Sequence, residues 1–198
     1  MKVLSGTARG VPLKVVPDFE TRPILDRLKK SLFSMLDAAS LLLDARVADL
    51  YAGTGTQGIE ALSRGAEFCM FVEVRPEAVA LMQENLAKTR LDKKAEIRRG
   101  RVEEVLRDLG RGTDKTKLFD LILYDPPFVF SREAESRAGI EKEMDLAAKI
   151  LYPGHGRLVL RFEKKIDPPS PSALTLQRHW TDGPHAFAFY SVPKNDSL

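Results

Sequence analysis

The fold of this chain is decided by the stretch VADLYAGTGTQG, residues 47–58. Its apolar start predicts a buried strand over 46–50, its glycines predict a tight turn, and a helix is expected to begin near Gln57. The glycines have the spacing G-x-G-x-x-G, which is typical of loops that hold a dinucleotide against the start of a helix. The stretch therefore predicts an α/β unit with a ligand at the end of its first strand.

Two carboxylates around this turn narrow the kind of ligand. Asp49 lies four positions before Gly53, and Glu73 follows twenty positions after it. A carboxylate at Asp49 repels a pyrophosphate and attracts an ammonium or sulfonium group, while Glu73, at the end of the next strand, can accept hydrogen bonds from both ribose hydroxyls. The glycines admit the ligand close to the backbone, and the helix N-terminus attracts its carboxylate. These features predict S-adenosylmethionine, the alternative being a glycine turn without a ligand.

The composition is that of an ordinary globular protein. The chain has 198 residues, 43% hydrophobic and 30% charged, which suits one compact domain with a small appendage. Cys69 is the only cysteine, so no intramolecular disulfide can form, and no apolar run is long enough for a membrane span. We expect a cytoplasmic protein. The three histidines, His155, His179 and His185, show no metal-ligand spacing, and no metal is expected.

Strand and helix patterns alternate from residue 46 onward. Strands are predicted at 46–50, 67–73, 95–99, 118–124 and 156–162, and helices at 57–64, 76–88, 102–109 and 133–150. This alternation gives a mostly parallel sheet with right-handed crossovers, and two final strands, 173–179 and 186–192, add an antiparallel hairpin. Ligands bind such sheets beyond the carboxyl ends of the strands, where the strand order switches.

The segment 1–40 is predicted to be a small addition to the main domain, 41–198. Two short strands, 2–6 and 11–16, are expected to form a hairpin, and a helix is expected to begin at Thr21–Pro23. This helix is either a lid over the cofactor site or an ordinary packing helix. Seven basic and three acidic residues lie within 1–36, which predicts either contact with an anionic partner or a solvated face.

A second motif, Asp125-Pro126-Pro127-Phe128, follows the apolar run that ends at Tyr124. The prolines stiffen the backbone and leave the carbonyl groups of Asp125 and Pro126 free to accept hydrogen bonds from a ligand. Phe128 offers a plane on which a base can stack. A carboxylate and a carbonyl that accept both hydrogens of an exocyclic amine turn its lone pair toward a methyl donor and stabilise the developing positive charge. The alternative is a rigid turn without catalytic function.

The two motifs together resemble class I S-adenosylmethionine-dependent methyltransferases that act on amino nitrogens. The segments GTARG, residues 6–10, TRPILDRLKKSLF, residues 21–33, and DLYAGTG, residues 49–55, are similar to bacterial RsmD-type enzymes, which methylate guanine N2 in 16S ribosomal RNA. The resemblance covers about residues 1–165. It implies a Rossmann-like fold with a seven-stranded sheet, S-adenosylmethionine as cofactor, and ribosomal RNA in the small subunit or its assembly intermediate as partner. We expect a monomer.

The resemblance also assigns site residues. Those expected to hold the target guanine are Asp125, Pro126 and Phe128. Those expected to hold the cofactor are Asp49, Ala52, Gly53, Thr54, Gly55, Glu73, Val74 and Val102. Those expected to contact RNA are Arg9, Lys14, Arg22 and Arg27. Arg101 stands where family members often carry an acidic residue near the adenine, so adenine contact is assigned to the Val102 backbone.

Two alternatives remain open at this point. The same acceptor chemistry serves adenine N6 in DNA, although no separate DNA-recognition domain fits in 198 residues. A non-catalytic RNA-binding module on the same fold is the other. A measurement of cofactor binding would test the non-catalytic module. The identity of the methylated base would distinguish a DNA adenine-N6 methyltransferase from a guanine-N2 methyltransferase.

Overall fold

The computed structural model describes residues 1–16, 26–112, 118–127 and 134–193. Within them lies a seven-stranded sheet with the order β3-β2-β1-β4-β5-β7-β6. Its strands are β1 Arg46–Leu50, β2 Phe68–Glu73, β3 Ala95–Arg99, β4 Leu121–Tyr124, β5 Arg157–Glu163, β6 Thr175–Asp182 and β7 His185–Ser191. The first five are parallel, and β7 runs antiparallel between β5 and β6. The predicted mixed sheet with a closing hairpin is confirmed.

Helices cover both faces of the sheet. They are α1 Asp26–Ala38, α2 Thr56–Ser63, α3 Pro76–Thr89, α4 Val102–Arg111 and α5 Ala134–Ala148. Side chains alternate between the two faces along each central strand, as strand geometry requires. In β1, Val47 packs with α1, α2 and α3 on one side, whereas Ala48 and Leu50 pack with α4 and α5 on the other. Because both faces are buried, the parallel strands read as continuous apolar runs.

Four predicted strands differ from the observed structure by more than one residue. β4 begins at Leu121 rather than at 118, because Phe119 pairs with the chain after α5 through its bridge to Leu151. β6 is shifted to Thr175–Asp182, so that the hairpin turn contains only Gly183 and Pro184. The two predicted N-terminal strands reduce to a single antiparallel bridge between Lys2 and Pro12.

The N-terminal residues share the core of the main domain. Val3, Ala8 and Leu13 are buried in the same cluster as Leu28 and Leu32 of α1. α1 therefore packs as an ordinary core helix along the residues described, while its predicted start at Thr21–Pro23 lies outside them. No helix among the described residues is both long and apolar enough to cross a membrane.

A buried ion pair fastens this segment to α2. Lys29 Nζ lies 3.5 Å from Glu60 Oε2, and neither side chain is exposed. Glu60 also accepts hydrogen bonds from the amides of Leu4 and Ser5, while Lys29 donates to the carbonyl of Lys2. Burial lowers the pKa of Lys29, although the Glu60 carboxylate opposes this effect. The backbone of the first residues of the chain is thus held in place by charged side chains of α1 and α2.

Candidate active site

Both sequence motifs leave the sheet at the same edge. β1 and β4 are neighbouring parallel strands with Leu50 opposite Tyr124, and the Asp125 amide donates to the Leu50 carbonyl over 3.3 Å. The glycine turn follows β1 and the Asp125-Pro126-Pro127 segment follows β4. The predicted cleft at the switch in strand order therefore has a carboxylate-bearing turn on each side.

The glycines of the turn have distinct functions. Gly53 and Gly55 have φ angles of 56° and 80°, in the left-handed region where side chains are strained. A Cβ on Gly53 would meet no atom within 4 Å, so its backbone faces open space that a ligand can occupy. In contrast, a Cβ on Gly58 would lie 2.3 Å from Phe71 Cε1, so this glycine is required for α2 to pack on β2.

Asp49 is held at one oxygen only. Its side chain is buried, and Oδ2 accepts a hydrogen bond from the Gly58 amide over 2.8 Å, in the first turn of α2. Oδ1 is buried without a hydrogen-bond partner among the described residues. Burial raises the pKa of Asp49 to about 7, the Gly58 hydrogen bond opposes this, and the charges of Asp125 and Glu73 add to it. The site thus contains a carboxylate oxygen suited to a cationic ligand.

Glu73 organises the chain around the turn. Its Oε2 accepts from the Gly53 amide over 2.8 Å, while Oε1 accepts from the amides of Val74 and Arg75. The Arg75 guanidinium also contacts Oε1 over 3.2 Å. With these bonds in place Oε2 has an acceptor position left that can accept a hydrogen bond from a ribose hydroxyl.

The other predicted cofactor residues lie around the same rim. Ala52 donates its amide to the Val72 carbonyl, and Asn85 donates to the Thr54 carbonyl over 3.0 Å, which fixes the turn on both sides. Val74 is 52% exposed at the end of β2, unusual for a valine and suited to covering an adenine. The Val102 side chain is buried in the core, so its backbone at the start of α4 is the part that can face a ligand.

Asp125 is bound by two side chains that the sequence analysis did not select. Gln57 Nε2 donates to Oδ2 over 2.7 Å, and Arg161 Nε donates to Oδ1 over 2.6 Å. Pro126 follows it at the edge of a small cleft that Arg161 also lines. Phe128 lies outside the described residues. Gln57 lies next to Gly58, so consecutive residues of α2 bind the two carboxylates of the cleft.

A second hydrogen-bond network that was not predicted connects both turns to α5. The hydroxyl groups of Tyr51 and Tyr124 donate to Glu143 Oε2 over 2.9 and 2.8 Å. Burial raises the pKa of Glu143, although these two hydrogen bonds oppose that effect. Tyr51 has a φ of 63°, a strained conformation for a tyrosine, which this network holds in place. Nothing in the local pattern of α5 marks Glu143 as a partner of residues so distant in the chain.

The predicted RNA contacts differ in how much of their charge is balanced within the protein. Arg27 lies 2.6 Å from Asp182 of β6, and Lys14 pairs with Glu84 of α3. Arg9 is exposed and has no ion pair among the described residues. Arg22 lies outside the described residues. Of the predicted cations that the structure describes, Arg9 therefore presents the least compensated charge.

The comparisons with known proteins agree with this geometry. The family model of conserved hypothetical protein 95 matches residues 1–191. Putative rRNA methyltransferase YlbH of Bacillus subtilis is 38% identical over 128 residues, which are 65% of this chain and 67% of that protein. Ribosomal RNA small subunit methyltransferase D of Haemophilus influenzae is 29% identical over 132 residues, 66% of this chain and 65% of that protein.

A solved structure extends the likeness over the whole chain. Hypothetical protein TTHA0928 of Thermus thermophilus superimposes with a TM-score of 0.78 at 29% identity, covering 97% of this chain and 99% of that one. Further solved structures share this fold, among them putative methyltransferase yhhF of Escherichia coli, with a TM-score of 0.73 at 24% identity over 98% of each chain. By contrast, the sequence alignments span about two thirds of the two curated relatives.

Proposed function

The chain belongs to the family of conserved hypothetical protein 95, and on that premise we propose that it transfers a methyl group from S-adenosylmethionine to a base amine of ribosomal RNA. The observation that carries the proposal is that Asp49 and Asp125 lie at the same cleft. Each carboxylate accepts a hydrogen bond from the first turn of α2. One carboxylate suits a cationic methyl donor and the other suits an amine acceptor. The relatives named as rRNA methyltransferases support RNA as the substrate.

Two observations indicate that the residues of the cleft are suited to bind this cofactor. Asp49 Oδ1 is a buried acceptor without a partner among the described residues, and Gly53 faces space in which no described atom lies within 4 Å of an added Cβ. Asp49 would attract the ammonium group, Glu73 would bind a ribose hydroxyl, and Val74 would cover the adenine. When bound, the cofactor supplies an electrophilic methyl group on a sulfonium. S-adenosylmethionine is therefore the cofactor of this proposal.

The protein's own part in the reaction is to orient the amine and stabilise its charge. Asp125 would accept one amine hydrogen, and the Pro126 carbonyl, freed by the stiff Pro126-Pro127 backbone, would accept the other. The lone pair of the nitrogen is then directed out of the base plane. Both acceptors strengthen their hydrogen bonds as positive charge develops on the nitrogen. The base has to leave its stack to reach this pocket.

The proposal also specifies the substrate base and the residues that contact RNA. We assign guanine N2 of the small-subunit RNA, in the subunit or its assembly intermediate, because the N-terminal segment and both motifs resemble enzymes of that specificity. The segment 1–40, Arg9 above all, would contact RNA phosphates, and Phe128 would stack on the target base. The protein would act as a monomer in the cytoplasm.

The test uses small ribosomal subunits from cells that lack this protein. They are incubated with the protein and methyl-labelled S-adenosylmethionine, and the RNA is digested to nucleosides. We expect label in N2-methylguanosine at one position. Label in another nucleoside would contradict the assignment to guanine N2. Titration of the cofactor by calorimetry is the companion measurement, since an absence of binding would favour a non-catalytic RNA-binding module.

A further inference from the structure

The Asp125 carboxylate is fixed from two sides by donors that the proposed reaction does not itself require. Arg161 approaches Oδ1 from β5, and Gln57 approaches Oδ2 from α2. The pair is well enclosed, since the side chain of Arg161 is 8% exposed and that of Asp125 is 11% exposed. The orientation of the carboxylate in the cleft is therefore set before any base enters.

We infer that Arg161 is a positioning residue that makes the site select an amine beside a ring N–H, as in guanine, over an amine beside a bare ring nitrogen, as in adenine. The inference rests on the proposed methyl transfer to a base amine and concerns how that base is chosen. Arg161 acts through Asp125, whose charge and orientation it holds.

The selection follows from the hydrogen-bonding edges of the bases. An ionised carboxylate only accepts hydrogen bonds, and each oxygen of Asp125 has an acceptor position beyond the one used by Arg161 or Gln57. Guanine presents two adjacent donors, the ring N1–H and the N2 amine, which match two acceptor oxygens. Adenine presents its N6 amine beside an acceptor, N1, which an ionised carboxylate repels. A protonated carboxyl group would match adenine instead, so the choice of base depends on the charge of Asp125.

The charges around Asp125 show why a cation is needed there. The carboxyl group of Asp49 on β1 interacts electrostatically with Asp125 and also with Glu73 of β2. α2 contributes the neutral amide of Gln57, and β5 contributes the guanidinium of Arg161. Arg161 therefore supplies the positive charge that balances the Asp125 carboxylate in this cluster.

The position of Arg161 agrees with a function beside the base. Arg161 lines a small cleft together with Pro126, Ile140 and Leu160. Pro126 belongs to the motif expected to receive the amine, so Arg161 adjoins the acceptor side of the site rather than the glycine turn. A change at Arg161 should therefore affect turnover and base choice more than cofactor affinity.

The experiment compares Arg161→Met, which removes the charge, with Arg161→Lys, which keeps it. The matched control is Arg157→Met at the other end of β5, where Arg157 donates to the carbonyls of Gly154 and Gly156. Each variant is assayed with labelled cofactor on unmodified small subunits at pH 7, and labelled nucleosides are separated. Cofactor affinity is measured in parallel.

For Arg161→Met we expect turnover at pH 7 to fall at least about tenfold, with cofactor affinity within about threefold of wild type. The ratio of N6-methyladenosine to N2-methylguanosine should rise. Arg161→Lys should restore turnover and the ratio, and Arg157→Met should match wild type.

The outcomes separate this inference from the proposed function. Wild-type turnover and a wild-type product ratio in Arg161→Met would overturn the positioning role while leaving methyl transfer established. A wild-type protein that transfers no label to the RNA would overturn the proposed function itself. If Arg161→Met does not fold, Arg161→Gln removes the charge with a polar side chain and is judged by the same two results.

Discussion

Gly58 donates its amide to Asp49 Oδ2 over 2.8 Å, so the first turn of α2 satisfies one oxygen of this carboxylate and leaves Oδ1 for a ligand. The same carboxylate is buried, and burial raises its pKa to about 7. A cationic ligand favours the ionised form, and below pH 7 the free protein has to release a proton to bind it. The cofactor site is therefore expected to be sensitive to pH near neutrality.

We predict that the affinity for S-adenosylmethionine falls as pH is lowered, by up to about tenfold per unit well below the pKa of Asp49. Asp49→Asn should weaken binding at pH 8 and remove the slope, since the amide cannot titrate. Glu73→Gln should weaken binding but keep the slope. Calorimetric titration between pH 5.5 and 8.5 measures this, and a slope that survives in Asp49→Asn would exclude Asp49 as its source.

The same pKa shift predicts an effect on stability. The folded pKa of Asp49 is about 7 and its ordinary value is 3.8, so the folded state binds the proton more tightly than the unfolded state. The stability contributed by this proton is present below pH 4 and is lost as pH rises through about 7. Asp49→Asn should therefore raise the free energy of unfolding at pH 8, by a few kcal/mol at most, in the absence of cofactor. Denaturant unfolding at pH 8 and pH 4 should show the gain only at pH 8.

The sequence predicted the parts of this molecule that depend on short-range patterns. Continuous apolar runs identified the buried strands, and β1 and β3 have the predicted bounds. The two carboxylate-bearing turns lie on one rim, as strand order required. What the sequence analysis missed are partners brought together by packing: Arg161 lies 36 positions from Asp125, and Glu143 lies 92 from Tyr51. No periodicity encodes such pairs, because they depend on the register of strands and helices that are distant in sequence.

Asp125 is predicted to serve turnover and not cofactor binding. Asp125→Ala should lower turnover at least about a hundredfold, because one acceptor of the amine hydrogens is lost. Its cofactor affinity should remain within about threefold of wild type. Asp125→Asn is the matched variant, since alanine also leaves the Arg161 guanidinium without its carboxylate. Single-turnover rates and calorimetry are the measurements, and equal losses in both would show that Asp125 acts on the cofactor.

The buried pair of Lys29 and Glu60 is predicted to stabilise the N-terminal segment. Glu60→Gln leaves both Lys29 and Arg64, whose Nε lies 2.8 Å from Glu60 Oε1, without this carboxylate, and should lower the free energy of unfolding by about 3–5 kcal/mol at pH 7. Because burial lowers the pKa of Lys29, the part of the loss that is due to Lys29 should shrink as pH rises and the amine becomes neutral. Glu84→Gln, at the exposed pair with Lys14, is the control and should change stability by less than about 1 kcal/mol. Equal losses in the two variants would contradict the importance of burial.

Arg9 is predicted to contribute more to RNA binding than Lys14 does. Both are exposed, but Lys14 is paired with Glu84, whereas Arg9 has no ion pair among the described residues. If Arg9 neutralises an RNA phosphate, Arg9→Ala should weaken binding and reduce the slope of log affinity against log salt by about 0.7–1. Lys14→Ala should change the slope less, because an internal carboxylate already balances that charge. Binding to small-subunit RNA is measured between about 50 and 200 mM salt, and an unchanged slope in Arg9→Ala would remove Arg9 from the interface.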